Sequence, residues 1–571
     1  MTGAPLPDAL LFAAETAPSL FRRIVGAAGH PSRLVPILIA RLTGRRVRAA
    51  TALTALTGAH HRLRWPGPVP PAEPDASLAR HGIERIEPMA DGTVRIAPAG
   101  TPLVLLAGPG HTLVDGAAEA IAAAFADPSI HALYGDALVR IRPGGPWLPL
   151  LRPAFDPDFL RAVDWLGPVL ALRRASAAAI EPVPGAAASD IALDLAARLG
   201  PRALRHLPRL LSFSALPAEG GGEGARAETR RARLKAVRRD LDRRGEGDTL
   251  AFVEPDGVIR LERPLPVPRP LVSLIVPTRD RLDLLRPCIE SLRARTDWPA
   301  KDILICDNGS REPETLAYFD ELRAAGAARI LDCAGPFDFA AINNRAAHAA
   351  RGTLLAFVNN DVEAERPDWL ERMVREALRP EIGAVGARLI DGEGRIQHGG
   401  IVLGTGGLAT HGHRHFSGDA PGYLSGLRAT RSVAAVTAAC LVIETRKFGE
   451  VGGFDPTFAV DFNDLDLCLR LNAAGLRTLY VGGARLHHRE SASRRPSPQA
   501  AARHAEEIAA LEKRWGPLLA QDPHYHPGFD PDLSTHIRLR RGWTGLAPAA
   551  PRSAVTAPDG ARRPAPSRSR T

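Results

Sequence analysis

The sequence predicts an α/β protein whose parallel strands deliver polar turns to one edge of a sheet. Three stretches carry that prediction. LVSLIV (271–276) runs into Pro277, Thr278, Arg279 and Asp280; ILIC (303–306) runs into Asp307, Asn308, Gly309 and Ser310; TLLAFV (353–358) runs into Asn359, Asn360 and Asp361. Unbroken apolar runs of this length read as strands buried on both faces. Their C-terminal edge is where open α/β sheets hold ligands.

Each intervening segment fits. After the first turn, Leu284, Cys288, Ile289 and Leu292 make the apolar stripe of a helix. Strand, helix, strand of this length is a βαβ unit, which leaves both polar turns on the same edge. Asn343, Asn344 and Arg345 open another helix before the strand that reaches Asp361. Three strand ends are therefore expected to converge, at Thr278, Asp307 and Asp361.

The rest of the chain divides by composition. Residues 1–99 are a basic, helical N-terminal region, with nine Arg against two acids in residues 1–66. Arg41, Arg45 and Arg48 fall on one helical face beside Ile37, Leu38 and Leu42, a pattern suited to an anionic membrane surface or to packing on its own domain. From 100 to 215 the order TPLVLLAG, GAAEAIAAAFADP, IHALYGDALVR matches the later TLLAFVNNDV, DWLERMVREALRP, IGAVGARLI. SDIALDLAARLG (189–200) likewise matches NDLDLCLRLNAAG (463–475). This reads as a divergent internal repeat. The early copy has Gly108, Pro109, Gly110 and His111 in place of Asn-Asn-Asp, and Ala192 in place of Asp466, so it is expected to be non-catalytic. Residues 216–270 form a basic linker closed by RPLPVPRP, whose prolines stiffen the connection. Residues 271–545 are the second globular unit, and the Pro-, Ala-, Arg- and Ser-rich 546–571 read as a disordered tail.

The net charge of +10 sits outside any reading platform for nucleic acid. Residues 225–244 hold nine basic residues against three acids and residues 551–571 hold five against one, excesses of +6 and +4. No nucleic-acid partner is expected, because that charge lies in a linker and a tail. The five cysteines lack CxxC spacing and fall in apolar patterns, as reduced core residues do. No apolar run reaches the ~20 residues of a membrane-spanning helix. The N-terminus lacks the order of a secretory signal, which reads as a cytoplasmic protein, peripheral at most to the inner membrane face.

VSLIVPTRD, ILICDNGS, INNRAAHAARGTLLAFVNND, VTAAC, VGGFDPTFAVDFNDLDLCLRL and HHRESASR, in this order, resemble the family 2 glycosyltransferases of GT-A fold, most of all the bacterial enzymes of O-antigen and other cell-surface polysaccharide synthesis. The resemblance covers roughly residues 265–540 and includes DPHYHPGFDPDLS (522–534). It implies a Rossmann-like, nucleotide-diphospho-sugar transferase domain preceded by a degenerate GT-A-like region, and inverting transfer from a nucleotide-sugar donor to a glycan or lipid-linked acceptor. It also implies a divalent metal, Mg²⁺ or Mn²⁺, held at Asp361, the last carboxylate of the family's DxD pattern, and at His488, with His487 a bystander. Asn359 stands where a further carboxylate is common.

Asp307 would meet the nucleoside, and Thr278, Asp280, Asn344 and Asn360 would line the same pocket. Asp464 matches the family's base, which takes the acceptor hydroxyl's proton; the preceding Glu of the pattern is Asn463 here. An acid at a helix start is also favoured by the helix dipole, so a purely structural reading of Asp464 stands beside the catalytic one. Asp466 reads as an i,i+4 partner of Arg470. QHGG (397–400), His411, His413 and His415 read as mobile loops able to touch the acceptor, and Thr437 to Cys440 as small residues leaving room for it. The alternatives are a non-catalytic nucleotide-sugar-binding scaffold and, last, a basic nucleic-acid-binding protein.

Overall fold

The computed structural model describes residues 31–42, 46–57, 63–89, 92–215, 223–489 and 497–546. The tail after Leu546, the ESASR segment (490–494) and Arg45 lie outside the described residues.

Two sheets organise the molecule. The first contains β1 (Ile83–Ile86), β2 (Leu103–Leu106), β3 (Thr112–Leu113), β4 (Ala132–Arg140), β5 (Leu148–Leu150), β6 (Leu170–Arg173) and β7 (Leu204–Ala215). Its order is β1-β2-β6-β4-β7-β3, with β5 paired to β4. The sheet thus begins at Ile83, inside the segment that the sequence assigned to the N-terminal region. A hairpin of β8 (Leu250–Val253) and β9 (Ile259–Glu262) follows the basic helix Glu223–Arg243.

The second sheet takes β10 (Val272–Thr278), β11 (Lys301–Asp307), β12 (Arg329–Asp332), β13 (Leu354–Val358), β14 (Val362–Ala364), β15 (Ile382–Ile390) and β16 (Ile396–His398). After the small ribbon β17 (Ile401–Leu403) and β18 (Ala409–His411), it is completed by β19 (Thr430–Val433), β20 (Cys440–Glu444) and β21 (Arg477–His488). Its order is β12-β11-β10-β13-β20-β15-β21-β14, with β16 on β15 and β19 on β21. β12, β11, β10 and β13 are mutually parallel, as the βαβ reading requires.

The strand order of the first sheet repeats that of the second from β10 onward. β1 is parallel to β2 as β10 is to β13; β6 is antiparallel to both neighbours as β20 is; β4 and β7 are parallel as β15 and β21 are. Both parallel pairs also break register near their middle, so even the bulges recur. Among the described residues the first sheet has no counterparts of β11 and β12.

Packing follows the apolar pattern. β13 and β15 are buried along their whole length. The helix Trp369–Ala377 buries Trp369, Leu370, Met373, Val374 and Ala377 on one face against them. The five cysteines are buried and free. The two basic helices Pro31–Leu42 and Arg46–Thr57 pack on each other, and Arg48 lies on the second of them.

Candidate active site

Strand pairing assembles the site. Val362 of β14 faces His488 of β21 in antiparallel register, which sets Asp361, one residue before β14, against the end of β21. His488 Nε2 lies 3.1 Å from Asp361 Oδ1, and both side chains are nine-tenths buried. The Arg489 amide donates to the Asp361 carbonyl at 3.0 Å, which pins the turn to the strand end. A carboxylate only accepts, so in this contact Nε2 carries the ring proton. Nδ1 of His488 is buried without a hydrogen-bond partner among the described residues, none of which locks that tautomer. His487 points elsewhere: half-exposed, it pairs with Glu365 at 3.2 Å.

The turn reaches a second carboxylate through its neighbours. Asn359 N–H donates to Ala439 C=O at 3.0 Å, and the adjacent Ala438 N–H donates to Asp464 Oδ2 at 3.1 Å. Asp464 starts the helix Asn463–Ala473, and its Oδ1 accepts the Leu465 amide at 2.8 Å. Burial pushes the Asp464 carboxyl above its ordinary value, although donors from Ala438, Leu465 and Thr437 hold part of that rise back. Asp466 is fully buried and pairs with Arg470 at 2.7 Å, as its spacing predicts. It also takes Arg514 at 2.8 Å and Trp515 Nε1 at 2.9 Å from the helix Pro498–Leu519, so it ties that helix down.

The strand-end residues expected around a nucleotide are adjacent but not equivalent. Thr278 and Asp307 face each other in the β10–β11 register, and Asn360 Nδ2 donates to Thr278 Oγ1 at 2.9 Å. Asp307 Oδ1 accepts the Ser310 amide at 2.8 Å, closing the Asp-Asn-Gly turn. Asp280 has positive φ, and its Oδ1 accepts the amides of Arg311 and Glu312 at 2.6 and 2.8 Å, so this carboxylate joins two turns. Asn344 brackets the Phe454 backbone, donating to its carbonyl at 2.7 Å and accepting its amide at 2.9 Å.

Two features escaped sequence reasoning. Thr437 to Cys440 read as small residues leaving room, yet the Ala438 amide and the Thr437 hydroxyl both reach Asp464; a run of small residues says nothing about where amides point. His398 and His411 are not mobile loop residues. They end short strands, His398 is fully buried, and their Nδ1 atoms meet at 3.0 Å.

A third cluster, Asp136 with His206 and His526, has ligand spacing for a metal but sits in the first sheet and the C-terminal segment. His526 Nδ1 accepts the Gly528 amide at 2.8 Å, which fixes the proton on Nε2, and Nε2 donates to Asp136 Oδ2 at 2.7 Å. A ring so locked has no lone pair to give a cation on that side. The cluster is a hydrogen-bonded tie.

A sheet whose parallel strands end in polar turns, one of them carrying Asp361, with His488 and a buried acid beside it, has the architecture of the GT-A class of glycosyltransferases. Residues 273–399 match the family model described as Glycosyl transferase family 2, and the chain carries a domain of that family.

An uncharacterized protein, y4gI, of Sinorhizobium fredii is 36% identical over 410 residues, covering 69% of this chain and 44% of that protein. The O-antigen biosynthesis protein RfbC of Myxococcus xanthus is 36% identical over 418 residues, 72% of this chain and 32% of its own length. The chain therefore spans less than half the length of these two relatives. Among solved structures, GalNAc-T7 with UDP, GalNAc and Mn²⁺ aligns over 43% of this chain and 49% of its own, with a TM-score of 0.36 and 15% identity.

Proposed function

We propose that the second unit is an inverting, metal-dependent glycosyltransferase that moves a sugar from a nucleotide-diphosphate donor to a glycan or lipid-linked acceptor in surface polysaccharide synthesis. The observation that carries this reading is the contact of Asp361 with His488 across β14 and β21, and the link from that turn to Asp464 through the backbone of the 437–439 loop.

Asp361 and His488 suit a divalent cation: one offers a carboxylate, the other an imidazole whose Nδ1 has no partner among the described residues and can take the ring proton. Mg²⁺ or Mn²⁺ bound there would offset the charge that grows on the departing diphosphate. Thr278, Asp307 and Asn360 line the strand ends where the nucleoside would lie, with Asp280 and Asn344 shaping the turns behind them. Asp464 would take the acceptor hydroxyl's proton as its oxygen attacks, and a raised carboxyl pKa brings this base closer to its working pH.

The first unit is read as a degenerate copy serving as scaffold. Its β2–β3 turn, Gly108 to His111, carries no carboxylate, and β7 ends in Ser214 and Ala215 where β21 ends in two histidines. Asp190, which aligns with Asp464, is fully buried against Arg239 and Arg243, each at 3.2 Å. Those two ion pairs commit this carboxylate to the basic helix.

The test is a thermal-shift panel of UDP-, GDP- and dTDP-sugars with Mn²⁺, Mg²⁺ or EDTA. A metal-dependent rise with one donor is expected in the wild type and absent in Asp361→Ala; no rise with any donor from folded protein sinks the proposal. For the membrane, the helix Pro31–Leu42 exposes Leu38, Ile39 and Leu42 beside Arg41, a face suited to anionic lipid. No helix among the described residues is long and apolar enough to cross a bilayer. Co-sedimentation with phosphatidylglycerol vesicles is expected and should fall with added salt; equal recovery with neutral vesicles would count against it.

A further inference from the structure

Histidines 398 and 411 have no part in the chemistry just proposed, yet their proton positions are fixed and lead to Asp464. Thr437 N–H donates to His398 Nε2 at 3.4 Å, so Nε2 is unprotonated. A neutral ring then carries its proton on Nδ1, which faces His411 Nδ1 at 3.0 Å and must donate to it. His411, neutral and accepting on Nδ1, in turn holds its proton on Nε2, and its ring also hydrogen-bonds the Gln397 backbone. The rings meet edge to face at 81° with centroids 4.9 Å apart, and His398 is fully buried. Burial keeps both neutral: the His398 pKa lies well below its ordinary value and that of His411 is pushed down to about 3.

The far end of this line is the base. Thr437 Oγ1 accepts the Ala439 amide at 3.3 Å and hydrogen-bonds the Asp464 carboxyl, so its own proton goes to Asp464. Ala438 N–H donates to Asp464 Oδ2 at 3.1 Å.

We propose that His398 is a positioning residue: with its tautomer set by His411, it anchors the Thr437 amide so that the 437–439 loop presents one hydroxyl and one amide to Asp464. The inference rests on Asp464 being the base. The hydrogen-bond line itself does not depend on that assignment, and the experiment separates the two.

Imidazole nitrogens are read by NMR on the full chain labelled with ¹⁵N-histidine, with signals assigned by His398→Gln and His411→Gln. Expected are His398 protonated on Nδ1, His411 protonated on Nε2, and a scalar coupling between the two Nδ1 atoms. An imidazolium at either ring, or His398 protonated on Nε2, overturns the proposal.

The kinetic arm measures nucleoside diphosphate release from whichever UDP-, GDP- or dTDP-sugar is turned over. His398→Leu should lower kcat roughly tenfold or more with donor KM within about twofold, a fraction of what a general base supplies. His398→Gln, whose carboxamide oxygen can accept the Thr437 amide, should recover part of the loss. Thr437→Val removes the hydroxyl without touching the rings and should also lower kcat, which covers the case in which His398→Leu fails to fold. Full activity in folded His398→Leu or Thr437→Val, with Asp464→Asn inactive, refutes the positioning role. Full activity in Asp464→Asn refutes the parent assignment instead.

Discussion

At the scale of the residue, the site turns on how far each acid is committed to the protein. Asp280, Asp466 and Asp464 all accept protein donors, but with different consequences. Asp466 faces two arginines and a tryptophan, which commit it to structure. Asp464 receives only amides and a hydroxyl, without an ion-pair partner among the described residues, and its carboxyl lies above the ordinary range because burial outweighs those donors. A base must be ionised, so the rate of donor consumption should rise as pH climbs through the raised Asp464 pKa. The acid limb therefore belongs above the ordinary aspartate value of about 3.9. Asp464→Asn should cut kcat by roughly 10²- to 10⁴-fold and abolish that limb while leaving metal-dependent donor binding in place. A pH profile flat down to the ordinary value, or an Asn variant with the same limb, would contradict the assignment.

Single elements decide whether these residues meet. β14 is only three residues long, yet its pairing with β21 brings Asp361 to His488 across more than a hundred residues of sequence. The helix Phe339–Ala349 is held to the loop before the helix Asn463–Ala473 by Asn344, through both atoms of its amide. Asn344→Ala would strand the Phe454 amide and carbonyl, a loss of about 1–3 kcal/mol seen as a lower melting temperature. Unchanged stability with weakened donor binding would instead favour direct contact with the nucleotide. The difference between Asn344 and Asp361 explains what was legible in the sequence. Strands end where apolar runs stop, so Thr278, Asp307 and Asp361 could be set on one edge from pattern alone. Which polar side chain turns back onto the backbone depends on loops such as Val451 to Phe462, whose course no periodicity encodes. His398 and His411 were misread as loop residues for the same reason: β16, β17 and β18 are three residues each, too short to leave an alternating signature.

For the whole molecule, the two sheets are joined by buried charge as well as by apolar clusters that draw on both units. Asp156 and Asp158, at the start of a short helix in the first unit, reach into the second: Asp156 accepts the Ser432 amide at 2.6 Å, and Asp158 pairs with Arg379 at 3.0 Å and Arg477 at 2.7 Å. Asp158 also pairs with Arg161 of its own unit at 2.9 Å, and Arg161 with Asp240 of the basic helix at 2.7 Å. Part of the linker's positive charge that composition flagged faces the acids of the first unit, as Arg233 does with Asp164 and Arg239 and Arg243 do with Asp190. At the other end, Asp136 ties His526 of the C-terminal segment to the first sheet. Burial alone would raise the Asp158 pKa, but Arg379, Arg477 and Arg161 outweigh it and hold the carboxyl well below its ordinary value. A folded-state pKa below the unfolded one gives stability that is complete above the unfolded value and is lost as pH falls toward the folded one. Asp158→Asn keeps the shape but removes the anion from among three arginines, and breaking one partner of a buried charge group costs about 3–5 kcal/mol. Denaturation midpoints of wild type and variant should therefore differ by a constant amount from about pH 5 to 8 and converge below about pH 4, where unfolded aspartate binds its proton. A gap that persisted unchanged in acid would mean that Asp158 stabilises the junction by packing, not by charge.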